Sequence, residues 1–170
     1  MMLAHLRRMA RYNAWANARL TAACGDLDED AYLAPRPAFF GSIHNTLCHV
    51  YVTDVLWLER IEGRPPSPWT LDHVPYAGRE DLFAARREMD EVLIRAIDAG
   101  DAATLEGEAV YRTVSMPQTE MRTPRHLCWL HLFNHQTHHR GQVHGLLSAT
   151  DVAPPPLDLI FYAREADART

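Results

Sequence analysis

The chain has 170 residues, of which 47% are hydrophobic and 23% charged, and its formal net charge is −5. This composition is typical of a globular protein with one hydrophobic core and argues against disorder. No basic block is long enough for nucleic acid or an anionic membrane surface, and no apolar run reaches the roughly 20 residues of a membrane span. We therefore expect a single domain over residues 1–170 that acts on a small-molecule substrate, without nucleic-acid or membrane partners.

The cysteines and the first residues indicate the cellular compartment. Cys24, Cys48 and Cys128 are widely spaced and form no CxxC pair, which is typical of reduced thiols. The first fifteen residues lack the apolar core and the small-residue cleavage site of a signal peptide. Together these features predict a cytoplasmic protein.

Apolar residues recur with helical spacing in four long segments. The pattern predicts helices over residues 3–24, 43–62, 79–98 and 124–147. Ser42 is a suitable N-cap for the second helix, and Thr123 followed by Pro124 is a suitable N-cap and first position for the fourth. Four helices of about 20 residues match the dimensions of a four-helix bundle. The sequence therefore predicts an all-α four-helix bundle.

The connections between these helices are long and rich in proline. Residues 64–76 form an irregular stretch that permits a long crossover after the second helix. Residues 108–121 fit either a short hairpin or an extended crossover before the last long helix, and the pattern does not choose between them. Residues 157–166 are expected to add one or two helical turns packed on the bundle.

Six of the ten histidines lie in the fourth predicted helix and are the main functional signal. Residues 126–139 contain no Asp, Glu, Lys or Arg, so this helix lacks an ordinary solvated face. His135 and His139 are four residues apart, which places their imidazoles on one side of a helix. Neutral imidazole is a good ligand for divalent zinc, nickel or iron. The spacing predicts a transition-metal site, with His131 and His138 as competitors for these positions.

A catalytic metal needs a third protein ligand, which must come from another helix. The second helix offers His44 and His49. These residues lie about 140° apart around the helix axis, so both cannot easily face one ion. Helical periodicity leaves the choice between them open.

Three sequence motifs resemble those of the DinB family of DinB/YfiT-like metalloenzymes, which is unrelated to the polymerase of the same name. They are YNAWANARL at residues 12–20, SIHNTLCHVYVTDVLWLERIEG at residues 42–63 and NHQTHHRGQV at residues 134–143. Their order and spacing extend the resemblance over nearly the whole chain. The resemblance implies an up-down-down-up four-helix bundle, commonly dimeric, with a divalent metal held by three histidines.

Carried onto this sequence, the family pattern assigns the metal ligands. One ligand is His49, in the H-x4-D-x2-W context, and the other two are His135 and His139 of the HxxxHRGQ motif. The resemblance thus favours His49 over His44 and His139 over His138. All the ligand positions of the family pattern are occupied by histidine here.

Four polar residues near these motifs are candidates for supporting roles. Gln142 lies on the same helix face as the metal histidines and is expected to orient a ligand or a water. Asn13 and Asn17 interrupt an apolar face of the first helix, which indicates either hydrogen bonds toward the metal pocket or a polar contact between helices. Arg140 is expected to pair with an acid on a neighbouring helix.

Three imidazole ligands leave a coordination position open for water or substrate, as in catalytic metal sites. Proteins that resemble the DinB family include thiol-dependent S-transferases and isomerases, which use low-molecular-weight thiols. The resemblance therefore implies a metal-dependent S-transferase, or a hydrolase that uses a metal-bound water. One alternative is a non-catalytic metal-binding protein of the stress response. Another is an interaction protein whose histidines form only a structural polar seam.

Overall fold

The computed structural model describes residues 1–168, so the last two residues of the expected single domain lie outside this range. The elements in chain order are α1 (Met2–Gly25), α2 (Glu29–Leu33), α3 (Ile43–Glu62), α4 (Arg79–Ala99), α5 (Ala102–Glu106), β1 (Glu108–Tyr111), β2 (Met121–Pro124), α6 (Arg125–Leu147) and α7 (Leu159–Asp167). The all-α class is confirmed, and α1, α3, α4 and α6 are the four predicted long helices. None of the helices within residues 1–168 is long and apolar enough to cross a membrane.

Contacts between side chains give the relative directions of the long helices. Helix α1 packs on α4 and α6, and α3 packs on the same two helices. Arg11 contacts Asp98 near the end of α4, whereas Asn17, farther along α1, contacts Asp90. Helices α1 and α4 are therefore antiparallel. The same holds for α3 and α6, because His49 contacts His139 whereas residue 57, later in α3, contacts residue 131.

Two hydrophobic clusters fill the bundle, one toward each end. The first joins the beginning of α1 and α6 to the last turns of α3 and α4, and includes Leu6, Ala10, Leu58, Ile61, Leu93, Ile97, Leu132 and Phe133. The second joins the last turns of α1 and α6 to the first turns of α3 and α4, and includes Leu20, Cys24, Ile43, Leu47, Leu82, Phe83, Val143 and Leu147. Helices α1 and α6 thus run in one direction and α3 and α4 in the other. This is the up-down-down-up order that the resemblance implies.

Because α3 and α4 are parallel, the chain between them must return along the length of the bundle. Helix α3 ends at Glu62 and is capped by Gly63, whose φ of 68° lies in the left-handed region that glycine adopts without strain. Residues 63–78 then form the predicted long crossover, without helix or strand. On its way this crossover passes α3 and brings the carbonyl group of Leu71 to His49.

The structure selects the hairpin over the extended crossover and corrects the start of the last long helix. Strands β1 and β2 pair antiparallel, with Ala109 opposite Thr123. The Thr123 hydroxyl lies 3.1 Å from the Tyr111 hydroxyl and makes no N-cap hydrogen bond. The N-cap position is occupied by Pro124, and α6 begins at Arg125. The prediction of Thr123 as N-cap was wrong because strand pairing determines the backbone there.

Candidate metal centre

Three histidines from two helices converge between α3 and α6. His49 comes from α3, and His135 and His139 lie one turn apart on α6. Each offers one ring nitrogen, and these atoms lie within 4.8 Å of one another. The ring centroids of His135 and His139 are 4.3 Å apart, and that of His49 is 4.6 Å from that of His139. The structure thus brings together the residues that the family pattern assigns as ligands.

The surroundings of His49 determine which of its nitrogens is free. Its Nδ1 lies 2.7 Å from the carbonyl oxygen of Leu71 in the crossover. A carbonyl only accepts hydrogen bonds, so Nδ1 carries the proton and Nε2 keeps its lone pair. The Phe40 ring stacks on the imidazole with the centroids 4.0 Å apart, which holds the orientation of the ring. The Nε2 atom lies 3.3 Å from Nε2 of His135.

His135 has the same arrangement of protons. Its Nδ1 lies 3.4 Å from Oγ1 of Thr53, and that hydroxyl already donates to the backbone oxygen of His49 at 2.8 Å. The hydroxyl is therefore the acceptor for the Nδ1 proton of His135. Two Nε2 lone pairs then face each other, an unfavourable contact that a shared cation would relieve. The donor set fits a divalent transition metal, for which imidazole nitrogen is a suitable ligand.

His139 is oriented by Gln142, one turn farther along α6. The Gln142 Oε1 accepts a hydrogen bond from Nδ1 of His139 at 2.8 Å, which leaves the His139 Nε2 free. The amide Nε2 of Gln142 lies 3.1 Å from Nε2 of His138. Partners of this kind fix the tautomer and the orientation of a metal-binding imidazole. The contact supplies a geometric basis for the orienting role expected for Gln142.

The environment of the site keeps the imidazoles neutral. Burial, together with the neighbouring histidines, lowers the pKa of His135 to about 3. Burial lowers the pKa of His139 to about 4, although the hydrogen bond that His139 donates to Gln142 opposes this change. Burial also lowers the pKa of His49. Neutral imidazole is the form that binds a metal.

These pKa values predict that zinc affinity changes little between pH 7.5 and 5.5. Three imidazoles with an ordinary pKa of about 6.5 would lose roughly a thousand-fold in affinity over this range, because protons compete for each ligand. In the folded site, protons compete at His135 and His139 only when the pH falls toward about 4, and the pKa of His49 is also lowered. We therefore expect a change of less than about tenfold. A chelator competition titration at both pH values measures the affinity. A thousand-fold loss, as expected for three imidazoles of ordinary pKa, would contradict the prediction.

The three competing histidines have other contacts. Both ring nitrogens of His44 are occupied, since Nδ1 lies 3.0 Å from the Tyr32 hydroxyl and Nε2 lies 2.9 Å from the Tyr76 carbonyl oxygen. His131 packs against the Trp57 ring at 4.5 Å. His138 is exposed on α6 and contacts Gln142. None of them belongs to the metal-capable group found within residues 1–168.

Asn13 and Asn17 form the polar contact between helices that was one of their two expected roles. Their side-chain amides donate to Oδ1 of Asp90 on α4 at 3.2 Å and 2.9 Å. Their amide oxygens accept hydrogen bonds from the Arg140 guanidinium on α6. The two asparagines thus contact a buried charge cluster and make no hydrogen bond to the metal-site histidines.

This buried charge cluster directly adjoins the histidines and was not recognised from the sequence. Arg86 on α4 forms ion pairs with Asp54 at 2.5 Å and with Asp90 at 3.0 Å. Gln136, next to His135, donates to Asp54. Burial raises the pKa of Asp54 to about 6, and the Arg86 charge opposes the rise. The only sequence signal was the presence of charged residues on helix faces that are otherwise apolar.

An open cleft of about 550 Å³ leads from the solvent to His49 and His139. Phe39, Phe40 and Leu71 form much of its lining, and Asp72 contributes a carboxylate. The volume lies within the range of about 300–1,000 Å³ that is usual for small-molecule sites. The imidazoles of His49 and His139 are therefore accessible to a small ligand, and His135 lies directly beside them.

Comparisons with known proteins agree with this architecture. The model of the DinB family matches residues 2–170. The chain is also 24% identical over 158 residues to Protein DinB of Bacillus subtilis (strain 168), and the alignment covers 91% of each protein. The match extends over all four long helices and all three converging histidines. The chain belongs to the DinB family.

Proposed function

We propose that the protein is a metal-dependent S-transferase. The sulfur of a low-molecular-weight thiol loses its proton to solvent and bonds to an electrophilic carbon of the substrate, whose bond to the leaving group breaks. The observation that carries the proposal is the group of three neutral imidazoles, His49, His135 and His139, at an open cleft. A divalent zinc, nickel or iron ion held there would act as a Lewis acid that favours the thiolate form of a bound thiol. Three protein ligands leave room for that thiol.

The residues around the histidines keep the site ready to bind the ion. The Leu71 carbonyl and the Gln142 amide oxygen each hold one imidazole in the tautomer whose Nε2 is free. The Phe40 ring covers one face of His49 and excludes water from it. The ligands therefore need little rearrangement on metal binding, which reduces the free-energy cost of forming the site.

Thiol transfer makes a smaller demand on proton-transferring groups than hydrolysis does. Among the side chains that the structure describes, no Asp or Glu is hydrogen bonded to the three imidazoles. Hydrolysis usually needs a positioned group that moves protons between water and the leaving group. A thiolate attacks without that step because it is already deprotonated. The lower demand on proton transfer therefore favours a thiol nucleophile over water.

A direct test combines metal-loaded protein with a chromogenic electrophile and a panel of thiols. We expect turnover that needs both a thiol and the metal and that stops when a chelator is added. The His135→Ala variant serves as the inactive control. Metal-dependent cleavage of esters or amides without thiol would indicate a hydrolase instead. Metal binding without turnover of any of these substrates would favour the non-catalytic metal-binding protein.

A further inference from the structure

A continuous aromatic surface leads from the candidate metal site to the solvent. The Phe40 ring stacks on His49 at 4.0 Å, and the Phe39 ring meets the Phe40 ring edge-on at 4.9 Å. Phe39 is 89% exposed, although it is a large apolar side chain. Leu71 lines the same cleft and is 42% exposed. Exposed apolar groups that are contiguous and lie beside a site commonly mark a surface that binds an apolar ligand.

The charged residues of the cleft limit the ligands that it can bind. All 17 basic residues of the chain are arginines. None of those within residues 1–168 lines the cleft. The lining contains one carboxylate, Asp72, and a hydrogen bond from Thr70 lowers its pKa. The part of a substrate that lies away from the metal would therefore contact the rings of Phe39 and Phe40 and lie near the negative charge of Asp72.

These two features point to a substrate class. We infer, on the basis of the proposed function, that the cleft selects a thiol substrate that is neutral or cationic and carries an aromatic or compact apolar group. Phe39 contacts that apolar group, and Asp72 disfavours a negative charge beside it. Phosphorylated and polycarboxylate compounds are poor substrates, because the cleft offers them no guanidinium group. The cleft volume of about 550 Å³ suits a molecule with one or two rings.

The test measures binding of three thiols to the cobalt-loaded full-length protein. The absorbance of the cobalt–thiolate charge transfer reports binding without any turnover. The thiols are 2-phenylethanethiol, which is neutral and aromatic, cysteamine, which is cationic, and 3-mercaptopropionate, which is anionic. We expect 2-phenylethanethiol to bind at least about tenfold more tightly than 3-mercaptopropionate, because burial of a phenyl ring is favourable and an unpaired carboxylate beside Asp72 is not.

Two variants assign these preferences to single side chains. Phe39→Ala should reduce the affinity for 2-phenylethanethiol about tenfold and leave that for cysteamine unchanged. Asp72→Asn should raise the affinity for 3-mercaptopropionate and lower that for cysteamine. Leu127→Ala and Asp151→Asn are matched controls, since both residues are exposed and neither lines the cleft. The controls should bind all three thiols as the wild type does.

The outcomes separate this inference from the proposed function. Cobalt binding with equal affinity for the three thiols, or with no effect of Phe39→Ala, would overturn the substrate class and leave the metal site intact. A change from dimer to monomer in Phe39→Ala, with unchanged thiol binding, would assign Phe39 to self-association and also overturn it. Failure of the wild type to bind cobalt would overturn both the metal site and the inference that rests on it.

Discussion

Replacement of Arg86 by Met should lower the free energy of unfolding by about 3–5 kcal/mol, the usual effect of removing one partner of a buried ion pair. Arg86 is 4% exposed and holds Asp54 and Asp90 at 2.5 Å and 3.0 Å. Without the guanidinium group, two carboxylates would lie close together inside the bundle with less compensating charge. Denaturant unfolding followed by circular dichroism measures the change.

A matched control and the pH dependence distinguish this effect from a loss of packing. Arg87→Met changes the exposed neighbour of Arg86 and should alter the free energy of unfolding by less than about 0.5 kcal/mol. In Arg86→Met the pKa values of Asp54 and Asp90 should rise further, so the folded state binds more protons than the unfolded state. The difference in free energy of unfolding between Arg86→Met and the wild type should therefore become smaller as the pH falls from 8 to 5. A deficit independent of pH would contradict the electrostatic explanation.

Replacement of any one of the three converging histidines by alanine should weaken zinc binding by more than about 100-fold. Loss of a residue that is hydrogen bonded to a metal ligand typically lowers metal affinity about 10–100-fold. Loss of the ligand itself should lower the affinity by more than this. The affected variants are His49→Ala, His135→Ala and His139→Ala, whose ring nitrogens converge within 4.8 Å. Competition with a chromophoric chelator, using protein without a His-tag, measures the affinity.

Two further variants on α6 should lower zinc affinity less than the ligand variants do. Gln142→Leu removes the acceptor for Nδ1 of His139 and should weaken zinc binding by about 10–100-fold. His138→Ala removes the imidazole adjacent to His139 and should leave zinc affinity close to that of the wild type. If His138→Ala lost as much affinity as His139→Ala, or if the three ligand variants kept their zinc, the proposed ligand set would be wrong.

The choice between His44 and His49 shows where reasoning from periodicity ends. Both residues are buried on α3, at 3% and 5% exposure, so the apolar pattern treats them alike. The tertiary structure separates them, since His44 meets the Tyr32 hydroxyl and His49 faces α6. The family resemblance favoured His49 because this residue occupies the histidine position of the family's H-x4-D-x2-W motif.

The buried charge cluster is a second feature that the sequence did not predict. Asp54, Arg86, Asp90 and Arg140 are charged residues of the kind that usually lies on a solvated helix face. They lie on three different helices, and their burial follows only when these helices pack together and bring opposite charges into contact. Within α4, only their position on the otherwise apolar face distinguishes Arg86 and Asp90 from an exposed residue such as Arg87.

The sequence by itself determined the four long helices, because they depend on the apolar repeat of each helix. Helical spacing left His131 and His138 open beside His135 and His139, and the family resemblance made that choice. Only the tertiary structure decided the start of α6, where Thr123 pairs in a strand with Ala109. It also decided which nitrogen of His49 is free, because the Leu71 carbonyl that accepts the Nδ1 proton lies in a crossover far along the chain. Interactions within one helical turn can be read from the sequence, whereas contacts between distant segments depend on how the bundle packs.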